Sequence, residues 1–160
     1  MDLGQRRNPS ALAIVERYRV ALGRDAVTFE PRFAQQYEIR RLERAALGTP
    51  YPDVVDRIRV LTRSATLAGR CTLAMDATGL GAPVLDMMKR AGLGCSIDAV
   101  ILTPVDPGTT HEWHVPKTDL VAGLRVMLEK KELRMENRPA GADALVKELA
   151  SFGARGSGGA

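Results

Sequence analysis

Cysteine is scarce in this chain: its 160 residues hold two, Cys71 and Cys95, both inside apolar segments. No N-terminal segment combines basic residues with a continuous apolar stretch, so the sequence points to a reduced, cytoplasmic setting. No run approaches the roughly 18 consecutive apolar residues of a membrane span, which predicts a soluble chain with no membrane partner. Charge of one sign is not in large surplus either. A formal net charge of +4 and a pI near 9.4 permit a polyanionic partner without requiring one. There is no internal repeat. What is present is length and apolar content: 160 residues, 45% of them hydrophobic, suffice for one domain with a core and fall short of two ordinary ones.

The first third reads as strands. "MDLG" is the tail of an apolar segment, "QRRNPS" a polar turn with Pro9, and "ALAIVERYRV" a β-capable run. In "PRFAQQYEIRRLE", Phe33, Tyr37 and Ile39 share one parity and Ala34, Gln36, Glu38 and Arg40 the other, the period of a strand with one wet face. After "GTPYPDVV" the period changes. Thr49 can cap, Pro52 suits a first helical turn, and Val54, Val55, Ile58, Leu61 and Ala65 recur at helical spacing up to Gly69. "CTLAMDA" reads as a short buried strand, and Val84, Leu85, Met88 and Ala91 as a helix stopped by Gly92. "IDAVILTP" is the next strand. Leu120, Val121, Leu124 and Leu128 mark a third helix, "ELRME" a small strand, and Leu145, Leu149 and Phe152 one face of a last helix. Residues 1–152 form the domain, and 153–160, "GARGSGGA" with its glycines, a flexible tail.

A three-stranded antiparallel start followed by alternating helices and strands predicts an α/β fold, with a mixed sheet and helices on both faces. The ribonuclease H-like fold is one common solution, and in it the first and fourth strands are parallel neighbours. Asp2 and Asp76 would then end adjacent strands about 4.8 Å apart. Carboxylates that close repel each other unless a cation lies between them, so the pair reads as a Mg²⁺ or Mn²⁺ site. Other readings of Asp76 stay open at this level. It can cap the helix after the turn, or the turn "TGLG" can offer its N–H groups to a nucleotide or methyl-donor ligand, although dinucleotide folds place such a turn after their first strand.

Three further features carry weaker signals. His111 and His114 in "HEWH" have no cysteine or third histidine nearby and read as part of a polar loop. Lys117 heads a helix, where a cation opposes the helix dipole; it is either an exposed lysine or a phosphate-facing one. Arg40, Arg41 and Arg44, with Arg6 and Arg7, form a solvated face or a DNA-facing one.

Taken in order, "DLGQRRNPSALAIVE", "YEIRRLERAALGTPYPDVVDRI", "MDATGLGAPVLDMMKRAGL" and "VPKTDLVAGLRVMLEKKELRM" resemble the nuclease domain of the large terminase subunits of tailed bacteriophages. The resemblance covers the chain to about Phe152. It implies a ribonuclease H-like fold and a metal-dependent endonuclease that cuts concatemeric viral DNA, with two Mg²⁺ or Mn²⁺ ions held by acidic residues. Asp2 and Asp76 map onto catalytic and metal-binding carboxylates of that family, and Lys117, Arg6 and Arg7 become DNA-binding candidates. Double-stranded DNA, the terminase ATPase domain, the small subunit and the portal are the implied partners, and the bacterial host cytoplasm the implied location. Compared with the family the chain is expected to be clipped: only Met1 precedes Asp2, nothing acidic follows Glu148, and no G-x-x-x-x-G-K-[ST] motor motif occurs. Two carboxylates are few for two cations, so impaired cleavage, or a catalytically inactive module that binds DNA or protein, is the alternative.

Overall fold

Alternating apolar and polar residues over short runs, separated by glycine and proline, give this chain an α/β architecture. The computed structural model describes residues 1–4, 9–78, 81–103, 114–135 and 137–155. Strands β1 (Ala11–Arg24) and β2 (Pro31–Arg44) come first, then α1 (Tyr51–Thr62), β3 (Thr72–Asp76), α2 (Gly81–Arg90), β4 (Ser96–Thr103), β5 (His114–Pro116), α3 (Lys117–Glu129), β6 (Leu133–Arg134) and α4 (Ala142–Arg155). They form two three-stranded sheets, β1-β2-β6 and β3-β4-β5. The chain divides into two compact units, Met1–Leu12 with Arg44–Leu124, and Ala13–Glu43 with Arg125–Ala160.

The first unit is built on parallel strands. β3 and β4 pair from Thr72↔Ser96 to Asp76↔Val100, and β4 and β5 from Ile101↔His114 to Thr103↔Pro116. Parallel neighbours in register point the same way, so Leu73, Met75, Ile97 and Ala99 share one face. α1 brings Val54, Val55 and Ile58 to that face and α2 brings Val84 and Met88, joined by Leu3 in one buried cluster. Burying each such side chain contributes about 1.5–3 kcal/mol. Of the helices expected on both faces, α1 and α2 therefore take the same one.

The opening strand is shorter than its expected ladder. Residues 1–4 make one antiparallel bridge, Asp2↔Ala11. The buried Ser10 explains where it stops, because its hydroxyl accepts from the Gly4 N–H (3.2 Å) and donates to the Gly4 carbonyl (2.8 Å), satisfying both backbone groups locally.

Both ends of α1 differ from expectation. Pro50 is the N-cap and no side chain caps the helix; the Thr49 hydroxyl donates instead to the Ala46 carbonyl at 2.7 Å. Pro52 removes one N–H that a cap would otherwise serve. The helix ends at Thr62, not at Gly69, with Arg63 as C-cap. Ala65 is exposed, so further turns would bury nothing there, and Gly69 takes φ +69 in the later turn that enters β3. α2 stops as expected before Gly92, at φ +61.

In the second unit β1 and β2 are sheet neighbours joined over Asp25–Glu30, a link too short for anything but an antiparallel hairpin. The Asp25 carboxylate accepts the N–H groups of Val27 (2.9 Å) and Thr28 (3.1 Å), and these bonds, Thr28's foremost, hold its carboxyl below the ordinary value. β6 runs parallel to β2 with Tyr37↔Leu133 and Glu38↔Arg134. The expected wet face of β2 is buried at its centre: Gln36 is 8% and Glu38 3% exposed, while Phe33 is 56% exposed. β2 is the middle strand of its sheet, flanked by side chains of β1 and β6, and the buried Glu38 is compensated by the Arg40 guanidinium at 2.6 Å.

α3 also departs from its expected stripe. Leu120 and Leu128 are exposed, and Val121, Leu124 and Met127 are the half-buried positions. On α4 Leu145 and Leu149 are half-buried. That helix runs to Arg155, into the expected tail, whose residues 156–160 lie outside the described residues, as does the Phe152 side chain. No described helix is long and apolar enough to cross a membrane.

One glycine is forced by packing. A Cβ on Gly94 would strike the Thr62 carbonyl oxygen, whereas one on Gly123, exposed in α3, would meet nothing within 4 Å. Gly94→Ala is expected to destabilise the protein by about 1–3 kcal/mol. Gly123→Ala should stabilise it by roughly 0.5–1 kcal/mol through helix propensity. Urea unfolding of the two variants checks the opposite signs.

Candidate functional site

Met1 lies beside β3 in a parallel arrangement. Its amino nitrogen donates to the Ala74 carbonyl (2.7 Å) and its carbonyl accepts from the Asp76 N–H (2.9 Å), which sets Met1 opposite Met75. Asp2 turns its backbone the other way, exchanging two bonds with Ala11 at 2.9 and 3.0 Å. Residues 1–3 thus run between the start of β1 and β3. With Met1 opposite Met75, Asp2 stands level with Asp76. Met75 and Leu3 are buried, Asp76 is half-buried and Asp2 exposed, so the two carboxylates share the sheet face that α1 and α2 leave open.

Asp76 is fixed by its own turn. Its Oδ1 accepts from the Thr78 N–H at 2.8 Å, and the Thr78 hydroxyl accepts in turn from the Leu102 N–H at 2.7 Å. Ala77 donates to the Val100 carbonyl at 2.8 Å. The carboxylate is thereby tied to the strand β4 alongside it. This local turn, five residues ahead of α2, is what the Asp76 side chain supports among the described residues; Gly79 and Leu80 of the "TGLG" turn lie outside them.

The electrostatics centre on Met1. Burial pulls its ammonium below the ordinary value of 8.0, and the negative charges of Asp2 and Asp76 pull it back up. Both carboxylates therefore act on the charge of one amino group. A third acid shares their side of the sheet: Asp98 stands opposite Ala74 on β4, one pleat repeat back from Asp76 and roughly 8 Å across the diagonal. Sequence reading missed it because "IDAVILTP" becomes uniformly apolar after Ala99, which hides the alternation that sets Asp98 outward. Among the described residues no three of His, Cys, Asp and Glu converge as a metal group. Asp2 and Asp76 stand level on neighbouring strands.

Lys117 is exposed and opens α3 directly after β5. Register places it at the carboxyl edge of the parallel strands, the edge where Asp76 ends β3, and open α/β sheets bind ligands along such edges. Thr103, at the end of β4, has a buried hydroxyl without a partner among the described residues. Arg6 and Arg7 lie outside the described residues, and so does His111. His114 opens β5 instead of lying in a loop. The Arg40 and Arg41 candidates are engaged: Arg40 pairs with Glu16 (2.7 Å) and Glu38, and Arg41 pairs with Glu43.

Comparisons of the chain with protein-family models, with curated proteins and with solved structures find no match.

The Met1 amine supplies a test of this geometry. It should titrate below 8.0, and Asp2→Asn and Asp76→Asn should each lower it further by removing a nearby negative charge. Because the amine binds its proton more weakly when folded, stability should rise with pH through the window between its lowered value and 8.0. NMR titration of the amine and chemical unfolding across that window measure both effects. An amine unmoved by Asp76→Asn would separate the two carboxylates.

Proposed function

We propose that this chain is the metal-dependent endonuclease domain of a phage terminase large subunit, with a ribonuclease H-like fold. One observation carries the reading. Residues 1–3 run antiparallel to the start of β1 and parallel to β3, setting Asp2 and Asp76 level on the open sheet face. A carboxylate pair placed in this way supports the reading, and the ordered resemblance along the sequence adds to it.

In this reading Asp2 and Asp76 hold Mg²⁺ or Mn²⁺, two ions in the complete family site. Their oxygens suit hard cations. A divalent ion there would lower the pKa of a water and offset charge on the departing 3′ oxygen. Thr78 holds Oδ1 of Asp76 in place. Lys117, at the same strand edge, meets the phosphate backbone, and Arg6 and Arg7, which lie outside the described residues, are DNA-binding candidates by the resemblance alone. Lys and Arg neutralise phosphates whatever the base sequence, so binding to double-stranded DNA is salt-sensitive and largely unspecific. The ATPase domain, the small subunit and the portal are the proposed protein partners, in the bacterial host cytoplasm.

Two neighbouring carboxylates hold a pair of cations poorly, so cleavage by this chain is expected to be slow even in millimolar Mn²⁺. Titration calorimetry should detect Mn²⁺ binding that Asp76→Asn abolishes, and plasmid nicking should fall with it. Mn²⁺ binding unchanged in the variant would return Asp76 to its turn-forming role. Salt-dependent DNA binding with neither metal binding nor nicking would instead establish an inactive DNA-binding module.

A further inference from the structure

The cysteines stand together at the end of the sheet away from the carboxylates. Cys71 and Cys95 each precede by one residue the paired positions Thr72 and Ser96, so register sets them opposite each other on neighbouring strands. Strand spacing puts their Cα atoms about 4.8 Å apart, within the roughly 4.4–6.8 Å that a disulfide spans. On the outward face the Thr72 and Ser96 hydroxyls bond at 2.9 Å, holding the strands together at this level. Both thiols are free and half-buried, and Cys95 packs against the core cluster. Just before Cys95, Gly94 lies where an added Cβ would strike the Thr62 carbonyl oxygen.

We propose that Cys71 and Cys95 are a cross-strand dithiol that closes reversibly into a disulfide by exchange with low-molecular-weight disulfides. Burial first, and Cys71 next, push the Cys95 thiol up; either cysteine can open the exchange, and one route starts at Cys71. Its thiolate bonds to one sulfur of the small disulfide and expels the other half as a thiolate, which takes up the proton Cys71 released. Cys95 then gives up its proton, attacks Cys71 in the mixed disulfide and releases the second thiol. Two protein thiols are oxidised and one small disulfide is reduced to two thiols. The pair is not a structural zinc centre on its own, since such a centre takes four ligands and among the described residues no third His, Cys, Asp or Glu joins it. The inference is independent of the nuclease reading.

The test equilibrates the full 160-residue protein with oxidised and reduced glutathione, then denatures and alkylates it before intact mass measurement. The expected product is a monomer lighter by two hydrogens, closed to alkylation at both cysteines and restored by dithiothreitol. Cys95→Ser should arrest the sequence as a glutathione adduct on Cys71. A lasting adduct on the unaltered protein, a disulfide-linked dimer, or two cysteines that remain fully alkylatable would overturn the proposal. The unaltered protein decides this even if the serine variant fails to fold.

Discussion

The parallel register of β3 and β4, extended by Met1 alongside Met75, is the constraint on which the rest of the first unit depends. Successive strand residues point to opposite faces. Once Leu3, Leu73, Met75, Ile97 and Ala99 meet the apolar stripes of α1 and α2, the intervening positions have no choice of direction. Asp2, Asp76, Asp98, Thr72 and Ser96 must face the other way. The polar face is a by-product of burying the apolar one, and a slip of one residue would exchange the two. Core packing and site geometry are one fact seen from two sides of a sheet.

That arrangement has an electrostatic cost, met locally. Two carboxylates on neighbouring strands repel, and the half-buried Met1 ammonium feels the charge of both while losing solvation itself. The bond from Thr78 to Asp76 restricts one oxygen to a single position. A carboxylate held in this way would lose less freedom on engaging a ligand than one ordered on demand. Thr78 also accepts from Leu102 on β4, so the orientation of the acid is fixed by backbone already committed to the sheet.

Much of this was legible in the sequence. The run around β3, the α2 stripe at Val84 and Met88 and the stop at Gly92 follow from periodicity and glycine conformation alone, and Asp76 stands out because it ends an apolar run. Other features depend on neighbours that no single segment reveals. Gln36 and Glu38 read as a wet face in the sequence, and only the flanking of β2 by β1 and β6 goes with their burial. The end of α1 at Thr62 goes with the exposure of Ala65, the next position of the expected stripe. Asp98 needs the pairing with Ala74 before its relation to Asp76 can be seen.

The two ends of β3 carry different chemistry, and register links them. From Cys71 to Asp76 the strand advances five residues, roughly 16 Å at strand rise, too far for a sulfur at one end to touch an oxygen at the other. A covalent bond between Cys71 and Cys95 would nonetheless act along that length. It would fix β3 against β4 in the one register that sets Leu73 and Met75 inward, and Asp76 outward with them. Any effect of thiol oxidation on the carboxylate face would therefore pass through strand pairing, by narrowing local fraying, and would leave the chemistry of the acids themselves unaltered.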